Sequence, residues 1–184
     1  MGEKDANSAG AVVIGLKPNG RSTLMSNLSD LTPREPLRII DLVRAAGVDV
    51  SDWANIKGGE KNAASNPKYC YEWSFVEPKT VVVLNLWFVD LKVRNGTIEC
   101  DFNMHEAARK EGQLPNNSVR QSRCQKLDHS VQVAVRDNLP IRVVICDGER
   151  RGSDGAKVSH VSKRLLDKLP WAVTALTGRA ASVR

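Results

Sequence analysis

The sequence has no long apolar run and no closely spaced pair of cysteines, and each absence excludes a class of protein. No stretch approaches the roughly 18 apolar residues that cross a bilayer, and the start lacks the basic-then-apolar order of a secretory signal. The four cysteines are far apart, so the spacing of a zinc knuckle or a thioredoxin-like site is missing. We therefore expect a cytoplasmic protein without membrane contact, whose reduced cysteines pack as small hydrophobes.

The sequence also lacks the common motifs of nucleotide binding and nucleophilic catalysis. There is no Gly-x-Ser-x-Gly elbow, and Gly58-Gly59-Glu60-Lys61 lacks the Walker spacing. The three histidines, His105, His129 and His160, are widely separated. We therefore name no catalytic residue, no metal ligand and no cofactor, and expect recognition rather than catalysis.

What the sequence does have is an uneven distribution of charge. The net charge is +6, but residues 1–116 hold 14 Lys and Arg against 15 Asp and Glu. Residues 117–184 hold 13 Lys and Arg against only 6 Asp and Glu. Positive charge gathered in one part of a chain can attract polyanions such as nucleic acid, although a solvated basic surface is the plain alternative.

The order of predicted elements favours an α+β fold, with a mixed, mainly antiparallel sheet flanked by helices. Residues 1–31 are rich in Gly, Ser and Asn and predict a flexible leader, in which the apolar island Val12–Ile14 is a candidate edge strand. Residues 32–184 are expected to form a single α+β recognition domain. Whether the protein forms a homodimer stays an open question at this point.

Two stretches predict neighbouring strands of different character. In Tyr69–Phe75 every odd position is aromatic, which predicts a strand with one aromatic face. The segment from Thr80 to Phe88 is almost wholly apolar and predicts a strand covered on both faces, with Asn85 as its lone polar residue. Asn95-Gly96 then predicts the type I′ turn of a hairpin.

The second half of the chain predicts two helices and two strands. Asn103 with Glu106 three residues later is typical of a helix start. A longer helix is predicted from Ser118 to Asp137, and the strands follow at 141–146 and 171–176. The residues expected on the buried side of the longer helix are Leu127, Val131, Ala134 and Val135.

A family resemblance rests on the segments 38–43, 48–54, 66–73, 139–148 and 159–167. With them, residues 37–176 resemble the region that precedes the nuclease in McrA-like, restriction-type bacterial HNH endonucleases. The resemblance implies a region that selects the DNA target, and it carries over no particular binding residue.

The HNH nuclease itself needs a histidine general base and metal ligands, which the dispersed histidines of this chain do not supply. We expect the recognition part without the cutting part, either as a piece of a longer protein or as a stand-alone relative.

Cations and short hydroxyls of the basic half are the candidate contacts to DNA phosphates. The candidates are Arg120, Arg123, Lys126, Arg150, Arg151, Lys157, Ser159, His160, Ser162, Lys163 and Arg164. A pocket that reads a modified or flipped base needs aromatic rings and polar groups. For that pocket we name Tyr71, Trp73 and Asp90, the alternative being that the rings are simply core.

Two other functions remain open at this point. Asp90-Leu91-Lys92 matches the acid-x-Lys half of a metal-dependent nuclease site, with Glu72 or Glu77 as the further acid. The other open function is that of a protein-interaction domain, whose aromatic face would pack against a partner protein. The leading interpretation is a DNA-binding specificity domain of a restriction-type defence protein that senses a modified base.

Overall fold

The computed structural model describes residues 11–16, 27–113, 118–150 and 159–177. Three α-helices lie in this part of the chain: α1 (Ile39–Ala45), α2 (Met104–Gly112) and α3 (Ser118–Arg136). The strands are β1 (Ala11–Leu16), β2 (Ser74–Glu77), β3 (Val81–Trp87), β4 (Leu91–Arg94), β5 (Thr97–Phe102), β6 (Ile141–Glu149), β7 (His160–Leu166) and β8 (Trp171–Thr177). Short 3-10 helices span Leu28–Leu31, Ser51–Ala54, Gly59–Ser65 and Phe88–Asp90.

The strands form one sheet in the order β2-β3-β6-β8-β1-β5-β4, and β7 pairs with β6 beside this path. Every pairing is antiparallel except that of β3 with β6, which is parallel. The expected α+β fold with a mixed, mainly antiparallel sheet is therefore confirmed.

Strand β3 separates two hydrophobic clusters, as its almost wholly apolar sequence predicts. Val82 and Leu84 belong to the cluster that also contains Leu127 and Val131 of α3. Val83, on the opposite face of the strand, belongs to the cluster that contains the apolar residues of α1. Helix α3 thus covers one face of the sheet and α1 the other, because successive side chains of a strand point to opposite faces.

The expectation of a leader is wrong for residues 11–16, which form β1. This strand lies between β8 and β5 rather than at an edge, and Ile14 is fully buried. Apolar surface removed from water stabilises a strand even in a polar stretch of sequence. Residues 1–10 and 17–26 lie outside the described part of the chain.

The predicted strand with one aromatic face is also wrong. Residues 69–72 form turns, and β2 begins only at Ser74. The backbone N–H groups of Tyr69 and Cys70 both donate to the carbonyl of Asn66, at 3.0 and 2.9 Å. These local hydrogen bonds bend the chain and send its aromatic side chains in different directions.

The short-range signals, by contrast, are confirmed. Asn95 and Gly96 both have positive φ values, 51° and 75°, in the turn between β4 and β5. The Asn103 side chain accepts a hydrogen bond from the Glu106 N–H at 3.0 Å and caps α2.

Helix α3 matches its predicted range to within one residue but not all of its predicted buried face. Leu127, Val131 and Ala134 are buried, whereas Val135 is 46% exposed and Val133 is buried in its place. The cluster on this side of the sheet wraps further around the helix than one stripe of residues.

Candidate nucleic-acid interface

The segment that precedes β2 is held by Asn85, the polar residue of β3. The Asn85 side-chain amide donates to the Glu72 carbonyl at 2.8 Å, and its backbone N–H donates to the Trp73 carbonyl at 2.8 Å. These two hydrogen bonds continue the contact with β3 just before β2 begins. It positions Tyr71, Glu72 and Trp73 against the first half of α3.

Two arginines of α3 lie over two rings of this segment. The Arg123 guanidinium is 5.7 Å from the centre of the Tyr71 ring, and that of Arg120 is 5.5 Å from the centre of Trp73. Each such contact is worth about 0.5–1 kcal/mol at an exposed site. Tyr71 remains 61% exposed. Val119, one helical turn before Arg123, is 58% exposed. We call Tyr71, Trp73, Arg120 and Arg123 the ring–arginine surface.

Three cations of α3 were named from the sequence, and two of them form ion pairs with carboxylates. Arg120 donates to Glu111 of α2 at 2.9 Å, and Lys126 donates to Glu72 at 3.1 Å. Among the residues that the structure describes, Arg123 forms no ion pair, and its buried Nε has no hydrogen-bond partner. Arg123 is therefore the cation of this group whose charge is least neutralised.

The charges of Arg123 and Arg164 both affect Cys70, which precedes the ring-bearing segment. Burial raises the pKa of the Cys70 thiol, while the positive charges of Arg123 and Arg164 act to lower it. Arg164 also has a structural role, because it donates to the Leu37 carbonyl at 3.1 Å.

A groove of about 350 Å³ lies beside the ring–arginine surface, between β2 and the outer side of α3. Its floor includes a hydrogen bond of 2.8 Å between the hydroxyls of Ser130 and Ser74. The surface that lines it is mainly apolar, and its polar groups come from serine, glutamine, lysine and histidine side chains. The lining residues are Ser74, Val76, Ser122, Gln125, Lys126, His129 and Ser130. We call these seven residues the β2–α3 groove.

The other predicted contacts lie in β7 or just after β6. His160, Ser162 and Lys163 are exposed on β7, and the Ser162 hydroxyl donates to the Asp147 carbonyl at 3.2 Å. Ser159 precedes this strand and is half-buried. Arg151 and Lys157 lie outside the described residues.

Asp90, predicted for the base pocket, is held by Arg150. Their ion pair has an N–O distance of 2.6 Å and joins the turn after β3 to the end of β6. The structure therefore brings two predicted residues together, but as partners of each other. Asp90 is not among the residues in ring contact with Arg120 or Arg123.

The two charged residues of the acid-x-Lys motif likewise form ion pairs with other side chains. Lys92 donates to Asp101 at 3.0 Å, while Asp90 accepts from Arg150. In the described part of the chain, no group of three or more His, Cys, Asp or Glu side chains is placed to hold a metal ion. Of the further acids considered, Glu72 accepts from Lys126, and Glu77 accepts from the Asp49 N–H at 2.8 Å.

The cysteines behave as the sequence predicts for buried thiols. Burial raises the pKa of Cys100 to about 12 and the pKa values of Cys124 and Cys146 to about 11. All four thiols, including the half-buried Cys70, are free. A neutral thiol packs as a small apolar group.

Three neighbours of the ring–arginine surface were not predicted in the roles that the structure gives them. Glu72 and Glu111 partner the α3 cations, and Asn85 anchors the ring-bearing segment. The isolated polar residue in an apolar strand was the signal for Asn85, since a polar group in a buried strand needs a hydrogen-bond partner.

Comparison of the chain with protein-family models, curated proteins and solved structures finds no match. Separately, none of the helices that the structure describes is both long enough and apolar enough to cross a bilayer.

Proposed function

We propose that the protein binds DNA, and that the ring–arginine surface is the principal contact. The observation that carries the proposal is the pairing of an exposed ring, Tyr71, with Arg123, a cation that forms no ion pair with a described carboxylate. An aromatic face stacks on any base, and a guanidinium binds a phosphate or stacks beside the base.

The surrounding charges support the same proposal. Lys126 and Arg120 flank Arg123 on α3, and their side chains keep 57% and 29% exposure despite their carboxylate partners. Phosphates compete well for such cations because a surface ion pair is worth only about 0–1 kcal/mol. DNA therefore meets three cations spaced three residues apart on one helix.

A role in target selection for a restriction-type defence system, including the sensing of a modified base, is the finer form of this proposal. It rests on the resemblance of residues 37–176 to the recognition region of McrA-like endonucleases. An exposed ring beside a cation suits such a role because a displaced base needs a face on which to stack.

The test is the fluorescence anisotropy of labelled DNA, plain and cytosine-methylated, titrated with the whole protein. Arg123→Ala is expected to weaken binding to every probe. The matched control is Arg136→Ala, which removes an exposed arginine from the far end of the same helix, where it pairs with Asp137 at 2.7 Å.

Equal loss of affinity in the two variants would place the contact elsewhere. Absence of binding to any probe would end the proposal. Tighter binding to the methylated probe would support the sensing of a modified base, and equal binding would restrict the proposal to DNA binding alone.

A further inference from the structure

Helix α3 does not present its first arginines as a major-groove reading helix does. Such a helix projects its side chains outward to the base edges. Here Arg120 and Arg123 lie against Trp73 and Tyr71 instead, and the Arg120 side chain is only 29% exposed. The rings and guanidiniums together form a platform, and a platform accepts the face of a base rather than its edge.

The β2–α3 groove continues from this platform along the same helix. Ser122 is adjacent to Arg123, and Lys126 lies in the groove one turn further on. From Ser122 to His129 the helix rises about 10 Å at 1.5 Å per residue. This length matches about three stacked nucleotides of one strand at 3.4 Å each.

The chemistry of the groove complements a sugar–phosphate chain. None of its seven lining residues is acidic, although Lys126 donates to the neighbouring Glu72. Lys126 and His129 carry nitrogen donors, and Ser122 and Gln125 carry uncharged donors. The opposite wall is β2, which pairs with β3 and with no other strand in the described ranges. Ser74 and Val76, which line the groove, lie on the same face of this edge strand.

We infer that the groove holds the backbone of an unpaired strand whose base stacks on Tyr71. The inference rests on the proposed function and narrows its substrate class to single-stranded nucleic acid or to a strand opened from a duplex. A ring can stack on the face of a base only where the strand is unpaired or opened, because a duplex keeps its bases stacked on one another.

The first experiment compares the affinities of the unmodified protein for three nucleic-acid probes. Labelled six-nucleotide oligo-dT, six-nucleotide oligo-rU and a blunt DNA hairpin are titrated by anisotropy at one salt concentration. The single-stranded probes are expected to bind at least tenfold more tightly than the hairpin. The oligo-dT and oligo-rU probes show which of these DNA and RNA strands binds more tightly.

The second experiment obstructs the groove without touching the rings. Ser122→Trp fills it from an exposed position, and Gln125→Glu places a negative charge within it while keeping the side chain's shape. Both are expected to weaken oligo-dT binding at least fivefold. The control is Val135→Trp, which introduces the same bulky side chain at an exposed position outside the groove. Its affinity for oligo-dT is expected to stay within twofold of that of the unmodified protein.

The outcomes separate this inference from the proposed function. If the hairpin binds more tightly than oligo-dT, or if both groove variants bind oligo-dT as the unmodified protein does, the inference is overturned. DNA binding that still depends on Arg123 would then leave the proposed function standing. If no probe binds at all, both fail.

Discussion

Four aromatic residues of one short stretch divide between two very different regions. Tyr69 and Phe75 pack against the buried Trp53, with ring centres 5.2 and 5.7 Å from it. Tyr71 and Trp73 lie on the other side of the turn, against Arg123 and Arg120. We call Trp53, Tyr69 and Phe75 the buried ring cluster.

The difference teaches that the partner of an aromatic ring defines its role more than its place in a repeating pattern. Rings that meet other rings and aliphatic side chains stabilise the fold through burial. A ring that meets a cation at the surface, as Tyr71 does, keeps a face available to a ligand, whereas the half-buried Trp73 also packs against the core on the α3 side of the sheet. The buried ring cluster should therefore control stability, and the ring–arginine surface should control binding.

The strongest test of this division is Trp53→Ala. Trp53 is 2% exposed, and removal of a buried aromatic side chain costs about 3–5 kcal/mol of unfolding free energy. Denaturant unfolding followed by circular dichroism measures the loss. The matched variant Tyr71→Ala should change stability by no more than about 1 kcal/mol, since its ring is largely exposed. Similar losses in both variants would break the comparison.

Asn66→Ala should be the next most damaging change to stability. The buried Asn66 side chain donates to the Trp53 carbonyl at 2.9 Å and accepts from the Lys68 N–H at 3.1 Å. Loss of these partners in a buried site costs about 1–3 kcal/mol. Thermal unfolding measures the effect, with Asn62→Ala on the exposed side of the same region as the control. A stability equal to that of the control would show that the turn does not depend on Asn66.

On the binding side, Tyr71→Ala should weaken single-stranded DNA binding about 5- to 150-fold, the equivalent of about 1–3 kcal/mol for one stacked base. Anisotropy with oligo-dT measures it. Val89→Ala, at another largely exposed apolar residue, is the control and should bind normally. Unchanged binding by Tyr71→Ala would remove the ring from the interface.

The smallest expected effect is an increase in the affinity for DNA. Glu72→Gln removes the carboxylate that partners Lys126 and should tighten DNA binding by up to about fivefold, in line with a surface pair worth about 0–1 kcal/mol. The control, Asp137→Asn, frees Arg136 outside the proposed surface and should have no effect. Weaker binding by Glu72→Gln would mean that the carboxylate itself contacts the ligand or holds the surface together.

Elements set by local chemistry could be predicted from the sequence. The Asn95-Gly96 turn and the Asn103 cap depend on residues within a few positions of each other, and both are confirmed. The apolar run of β3 also specified a strand buried on both faces.

Features set by distant contacts could not be predicted in this way. The alternation of residues 69–75 indicated one strand, but turn hydrogen bonds to Asn66 divide the rings. Lys126 and Glu72 are 54 positions apart, and Arg150 and Asp90 are 60 apart. No spacing rule in a single sequence joins such pairs, so the cations of the site were predicted without their carboxylates.

The most direct test of the central claim is the dependence of oligo-dT affinity on salt. For the unmodified protein, the logarithm of the association constant should fall linearly with the logarithm of salt concentration. The slope should become shallower by about 0.7 in Arg123→Ala, the effect of one lost phosphate contact on a single strand. Arg136→Ala should keep the full slope. An affinity that does not change with salt, or equal slopes in all three proteins, would contradict the claim that Arg123 and its neighbours bind nucleic acid.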